Sequence, residues 1–444
     1  MSAVFPRHAG QRPAVAARGE GCYIVDTDGN RYLDASGGAA VSCLGHSDPD
    51  VRRAIADQID RIAFAHTGFF TSAPAEQLAE LLVAGTGGDL AYVYFVSGGS
   101  EGVEASLKLA RQYHVERGEP QRRHYIARWQ SYHGNTLGGL SVGGNALRRE
   151  LYEPLLLESH HISPCFAYRH QAVGESEAAY GRRVADELEA RILELGGDTV
   201  AAFIAEPVVG ATAGAVPPVP GYFKRIREIC DDHGVLLILD EVMCGMGRTG
   251  SLFAYEQEAI TPDIVVVAKG LGAGYQPVGA LICTDQVYDT IAQGSGAFQH
   301  GHTYMGHPTA CAAALAVQQK IRRPEMLAHI RAMGERLDGA LHEALGNHPS
   351  IGDIRGRGLF RAVELVADRA AKTPFPAAAN LHGRIKRQAM AHGLICYPSG
   401  GTADGATGDH VLLAPPFIVD AAQIDEIADK LRASIAAALN EIAE

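Results

Sequence analysis

The chain has 444 residues, 47% of them hydrophobic, and a formal net charge of −12. That length exceeds what one hydrophobic core usually holds, so two or more domains are expected. The acidic balance argues against nucleic acid and a polybasic membrane patch, which need a basic surface, and no uninterrupted apolar run of about 18 residues reads as a membrane span.

In chain order, residues 20–36 read as two short strands joined by an Asp28-Gly29-Asn30 turn, a strong hairpin signal. From about 50 to 84 the apolar spacing (Val51, Ile55, Ile59, Ile62, then Leu78, Leu81, Leu82) predicts helix. From about 91 to 284 strand-like runs alternate with helical stretches, with strands expected at Tyr92–Val96, Tyr125–Arg128, Val200–Ala205, Val235–Asp240, Ile264–Ala268 and Val278–Cys283. The first five are almost continuously apolar, as expected where helices cover both faces of a mainly parallel sheet. Long Ala/Leu-rich helices follow from about 310, then a Gly/Arg-rich strand region near 351–366 and a last helix at 421–442. The Gly/Ser/Thr-rich stretch 399–409 reads as one loop. The expected fold class is α/β, with a large domain over 61–310 and a smaller domain over 311–444 to which the segment 1–60 contributes.

The eight cysteines include no Cys-x-x-Cys pair and read as isolated buried thiols. With an N-terminus that lacks the apolar core of a secretory signal, they predict a cytoplasmic protein. Only seven of the 39 basic residues are lysines, so chemistry that needs a primary amine has few candidates.

Four segments carry chemistry. Ser97-Gly98-Gly99-Ser100-Glu101 lies between a buried strand and a helix, where glycines, a hydroxyl and free N–H groups make a phosphate site; a plain turn with Ser100 as N-cap is the alternative. Asp240-Glu241 ends a buried strand, where a carboxylate can pair with a cationic ring nitrogen, a metal or a ribose hydroxyl, or merely cap a turn. Lys269 follows five apolar residues and precedes Gly-Leu-Gly-Ala-Gly. A desolvated amine there has a depressed pKa and forms Schiff bases, unless it snorkels into solvent. His300-Gly-His302-Thr303-Tyr304-Met-Gly-His307 has no acidic or cysteine ligand nearby in sequence, so it reads as a hydrogen-bonding loop and no metal is expected. Gly245-Met-Gly247-Arg-Thr-Gly250 matches G-x-G-x-x-G, yet the next strand ends in Lys269 rather than in an acid, which disfavours a dinucleotide site.

Taken together and in this order, these segments resemble the class III aminotransferases, the ω-aminotransferase group of fold-type I pyridoxal-phosphate (PLP) enzymes. The most specific blocks are Leu239-Asp-Glu-Val-Met-Cys-Gly-Met-Gly-Arg-Thr-Gly250 and Ala268-Lys-Gly-Leu-Gly-Ala-Gly-Tyr-Gln-Pro-Val-Gly-Ala280. The resemblance implies a large domain built on a mainly parallel seven-stranded sheet plus a smaller α+β domain. It implies PLP held by Lys269 as an internal aldimine, Lys269 then moving the proton, and Asp240 keeping the pyridine nitrogen protonated. Tyr132 and Val242 would cover the two ring faces, with His133 beside Tyr132. Gly99 and Ser100 would bind the phosphate, joined by Thr303 of a neighbouring subunit in a homodimer, with dimer and tetramer both open as the final assembly. Glu206 would sit near the ring. The reaction implied moves an amino group from an amine or amino acid to a 2-oxo acid such as pyruvate. An aminomutase, a racemase or a decarboxylating transaminase uses the same anchor, and a nicotinamide-dependent dehydrogenase is a more distant alternative.

Two departures from the family pattern bear on substrate. Tyr397 stands where an arginine often reaches for the substrate carboxylate, which shifts that role to the backbone of the following loop or to Arg355, Arg357 or Arg361. Ala40 stands where a tryptophan is common, which would enlarge the pocket.

Overall fold

Alternation of side chains along nearly continuous apolar strands builds the larger half of the molecule. The structure is a computed structural model that describes residues 3–443 apart from Gln11 and Asp89. The N-terminal strands β1 (Ala16–Glu20), β2 (Tyr23–Asp26) and β3 (Arg31–Asp34) form an antiparallel meander. Two helices follow, α1 (Pro49–Arg61) and α2 (Ala73–Ala84). Asp48 caps α1, its side chain accepting from the amides of Asp50 and Val51.

Then come β4 (Tyr92–Val96), α3 (Gly99–Glu116), β5 (His124–Arg128), the one-turn α4 (Ala146–Arg149), β6 (His160–Ile162), α5 (Glu177–Leu195), β7 (Val200–Ala205), α6 (Tyr222–His233), β8 (Leu236–Asp240), β9 (Ile264–Val267) and β10 (Gly279–Cys283). Among the described residues these strands make a seven-stranded sheet in the order β4-β10-β9-β8-β7-β5-β6. The pairs from β9 to β6 are parallel, and only β10 runs against its two neighbours. Strand side chains point alternately to opposite faces, so both faces must be apolar if both are buried. Ala202, Ile204, Ile238 and Val266 pack with Val103, Leu107 and Ala110 of α3 on one face. Phe203, Ala205, Leu237, Leu239 and Val265 pack with Val184, Leu188, Phe223 and Ile226 of α5 and α6 on the other.

The last third contributes α7 (Pro308–Ile321), α8 (Pro324–Leu345), β11 (Ile351–Arg357), β12 (Phe360–Leu365), α9 (Leu381–Ala391), β13 (Leu394–Ile395), β14 (Tyr397–Gly400), β15 (Asp409–Leu413) and α10 (Ala421–Ala443). A four-stranded sheet in the order β11-β12-β15-β14 packs with α8, α9 and α10 around a second core that also holds Leu33 and Val51. β13 runs parallel to β3 and ties the N-terminal meander to this part of the chain. Helix α7 serves both cores: Ala310, Cys311 and Ala314 face the large-sheet core, Ala313, Val317 and Ile321 the second.

The stretch 399–409 is not one loop. Its ends pair as strands, Ser399 with His410 and Gly400 with Asp409, and only the tip between them turns. Alternating small residues hide strand character there, because periodicity has little apolar signal to act on.

Candidate active site

The parallel strands place the reactive side chains by ending together. Lys269 follows β9, Asp240 ends β8, Glu206 follows β7, Tyr132 and His133 lie beyond β5, and Ser97-Gly98 lead from β4 into α3. Carboxyl ends of parallel strands leave a crevice, and here it is a cavity of about 630 Å³. Gly99, Ser100, Tyr132, His133, Glu206, Asp240, Val242 and Lys269 all line it.

β8 and β9 are neighbours, with Asp240 paired to Val266, so the acid and the lysine come from adjacent strand ends. Burial lowers the Lys269 amine from 10.5 to about 8; Asp240 and Glu206 oppose the shift and the Arg148 guanidinium adds to it. Lys269 also has φ 45°, a left-handed conformation that costs a side chain roughly 1–2 kcal/mol, and strain of this kind gathers at functional positions. Asp240 Oδ2 stands 2.9 Å from His133 Nδ1, and Oδ1 accepts from the Val242 amide at 3.0 Å. Glu206 accepts from the amides of Tyr132 (3.1 Å) and Gly210 (2.9 Å), while burial raises its carboxyl above the ordinary value. Glu241, next to Asp240, turns away from the cavity: it accepts from the amides of Ala254 and Tyr255, and burial pushes it up to about 8.

The phosphate-type loop is built for close approach. As at any helix start, the first amides of α3, those of Gly99, Ser100 and Glu101, have no acceptor within the helix. Glu101 turns back to accept from the Ser97 amide at 2.7 Å. A Cβ at Gly99 would come 2.8 Å from Val242 Cγ1. Gly134 has φ 116°, and a Cβ there would come 2.8 Å from Ser100 Oγ, which itself accepts from the Asn135 amide at 3.0 Å. The loop carrying Tyr132 and His133 is thus laced to the start of α3.

These residues fit a pyridine aldehyde bearing a phosphate. An amine is available for the aldehyde, a buried carboxylate lies on the next strand, helix-start residues Gly99 and Ser100 are available for a phosphate, and Tyr132 and Val242 line the walls. His133 Nε2 is buried and has no partner among the described residues.

Comparison with known proteins agrees. The aminotransferase class-III family model matches residues 4–435. The chain belongs to the class-III aminotransferases. It is 46% identical to an uncharacterized aminotransferase of Schizosaccharomyces pombe, over 97% of this chain and 93% of that one. It is 35% identical to an adenosylmethionine-8-amino-7-oxononanoate aminotransferase of Geobacter sulfurreducens, over 95% and 92%. An amine transaminase from an uncultivated Pseudomonas species, solved in a PLP-bound form, superposes with a TM-score of 0.91 at 36% identity, covering 98% of each chain. An aminotransferase from Vibrio fluvialis in a PMP-bound form gives 0.90 at 34%, covering 97% and 94%. This class-III aminotransferase therefore has the fold-type I architecture and uses PLP.

The residues suggested for carboxylate recognition and for an enlarged pocket lie elsewhere. Arg355 is spent on Glu364 and Asp353, Arg357 on Glu258, and Arg361 on Asp338; none lines the cavity. The 401–408 loop does not offer its backbone either, since Gly401, Thr402, Ala403 and Gly405 donate within the loop and Ala406 and Thr407 donate to Asp404. It props α4 instead: Gln130 donates to the Gly401 carbonyl, and Gly405 backs onto Ala146. Ala40 is buried among Val208, Ala211 and Met243; its neighbours Ala39 and Val41 form the cavity wall. Tyr397 does line the cavity. Thr303 is exposed and absent from the lining of its own chain's cavity. His300 accepts from Lys108 at 3.1 Å and packs edge-on against His302, and among the described residues no cluster of His, Cys, Asp or Glu could hold a metal. Gly245–Gly250 is a buried turn followed by bends, with Arg248 donating to the carbonyls of Leu359 and Pro415.

Sequence reading missed Arg7 and Arg148, both at the cavity. Arg148 stacks over the Tyr132 ring at 4.6 Å. Sixteen positions separate the two in sequence, so the signal was only that a cation follows the Tyr-His-Gly block.

Proposed function

We propose that this aminotransferase moves an amino group from an amine or amino acid to a 2-oxo acid such as pyruvate in two half-reactions, with Lys269 as anchor and proton carrier. The observation that carries this is a desolvated Lys269 amine and Asp240 at the ends of adjacent strands, lining one cavity with the helix-start residues Gly99 and Ser100. Bound PLP supplies an aldehyde that captures amines and a ring that accepts electrons. The chain does the rest. Lys269 Nζ, its pKa lowered to about 8 by burial, would take a proton from the substrate carbon and return it. Asp240 would keep a proton on the pyridine nitrogen, and His133, with Nδ1 at 2.9 Å from Oδ2, holds that carboxylate in place. Tyr132 and Val242 would pack against the ring, Glu206 pins the Tyr132 amide, and Gly99 and Ser100 would hold the phosphate.

Thr303 would complete the phosphate site of a second copy in a homodimer. Support comes from its exposure and from the apolar surface beside it, where Phe64 packs edge-on against the exposed Tyr304 at 5.7 Å. The division into a large domain over 61–310 and a small one over the rest is likewise our reading of the two cores. A reducing, cytoplasmic location is supported by eight buried free cysteines, and among the described residues no helix is long and apolar enough to cross a membrane.

The test is spectroscopic. The holoprotein should lose its near-ultraviolet cofactor band with an amino donor and regain it with pyruvate. A Lys269→Ala protein should lack the band, and full turnover by that variant would sink the assignment.

A further inference from the structure

The cavity is electrically polar. Its floor carries Asp240 and Glu206, and its only other charged side chains besides Lys269, among the described lining residues, are Arg7 and Arg148. Neither arginine has a carboxylate partner among the described residues, whereas each arginine of β11 and β12 is already paired. Two cations that line a cavity and are left unpaired amount to an anion-binding feature.

Arg148 is also held in place. Its backbone amide donates to the Asn145 side chain at 3.2 Å as the cap of α4, and its guanidinium lies over Tyr132 at 4.6 Å. The 401–408 loop supports α4 from behind, with Gly401 close to Leu147 and Gly405 close to Ala146. Tyr132 in turn is pinned through its amide to Glu206. The guanidinium of this exposed arginine is therefore placed over Tyr132 at the edge of the cavity.

Resting on the aminotransferase reading above, we propose that Arg148 anchors a substrate carboxylate, so that this enzyme works on amino acids and 2-oxo acids in preference to simple amines. The acidic floor draws the amino group of a dipolar substrate inward, and the basic rim draws its carboxylate outward. One orientation satisfies both. Arg7, from the N-terminal segment, adds a second positive charge on the same rim.

The experiment compares kcat/KM of the holoenzyme for an amino acid donor with that for 1-phenylethylamine, which lacks a carboxylate. In Arg148→Leu the ratio should fall about 10–100-fold, the scale of one charge-assisted hydrogen-bonded contact. Arg148→Lys should fall between, because an ammonium keeps the charge and loses the planar fork. Calorimetric titration of the holoenzyme with the unreactive acid 3-phenylpropionate should show weaker binding to Arg148→Leu by a similar factor. An unaltered donor ratio, or equal affinity of wild type and variant for that acid, overturns the anchor. Failure of the wild type to exchange amino groups with any donor would overturn the aminotransferase reading instead, and the calorimetric comparison would still decide Arg148.

Discussion

His133 Nδ1 lies 2.9 Å from Asp240 Oδ2, and the imidazole is fully buried. If that carboxylate is ionised, Nδ1 carries the proton, and on the proposed assignment His133 would act on the cofactor through Asp240. His133→Phe should keep PLP bound and lower kcat about 10–100-fold, with a shift in the pH profile of the cofactor's absorbance, since one hydrogen bond to a buried charge is removed. A variant with wild-type kcat and an unshifted absorbance profile would refute the coupling.

Asp240 itself should matter more. Asp240→Asn preserves shape and removes the charge that, on the proposed assignment, would hold a proton on the ring nitrogen. Single-turnover rates with a good donor should fall about 10²–10³-fold while cofactor content is retained. Loss of less than tenfold would contradict the role.

Lys269 gives the pH dependence. Its amine titrates at about 8 against the usual 10.5. Only the neutral amine condenses with an aldehyde, so PLP uptake by the cofactor-free protein should quicken from about pH 7 and level off by about pH 9. Arg148 contributes to the depression, so Arg148→Leu should move that midpoint upward. The linkage follows: the folded amine gives up its proton before the unfolded one, so cofactor-free protein gains stability as pH rises from about 8 towards 10.5. Uptake that is flat with pH would count against a desolvated amine.

Gly134 is expected to be irreplaceable. Its φ of 116° is hostile to side chains, and a Cβ would press within 2.8 Å of Ser100 Oγ. Gly134→Ala should lower stability by about 1–3 kcal/mol in chemical denaturation and weaken PLP binding by pushing the start of α3. Equal stability and equal PLP affinity would show that the loop relaxes freely.

Much of this was legible in the sequence, for physical reasons that can be named. Strands β7, β8 and β9 are buried on both faces, so their runs are apolar without interruption and their ends fall at Glu206, Asp240 and Lys269. Strand β6 escaped notice because it has three residues, two of them histidines. The hairpin tip at 401–408 was hidden by its small residues. Carboxylate recognition was misplaced for another reason: Arg355, Arg357 and Arg361 are near the expected block in sequence, and only the folded chain shows that acids already neutralise them. Arg148 became visible only when the loop beyond β5 folded back over Tyr132.

Helix α7 belongs to both hydrophobic cores along a single 14-residue rod, with successive residues such as Ala313 and Ala314 facing different ones. A flexible linker would let each half melt alone. A shared rod forbids that, since loosening either core strips apolar cover from the same helix. The two halves are thereby mechanically fused at one place, and heating should dismantle them in a single cooperative event.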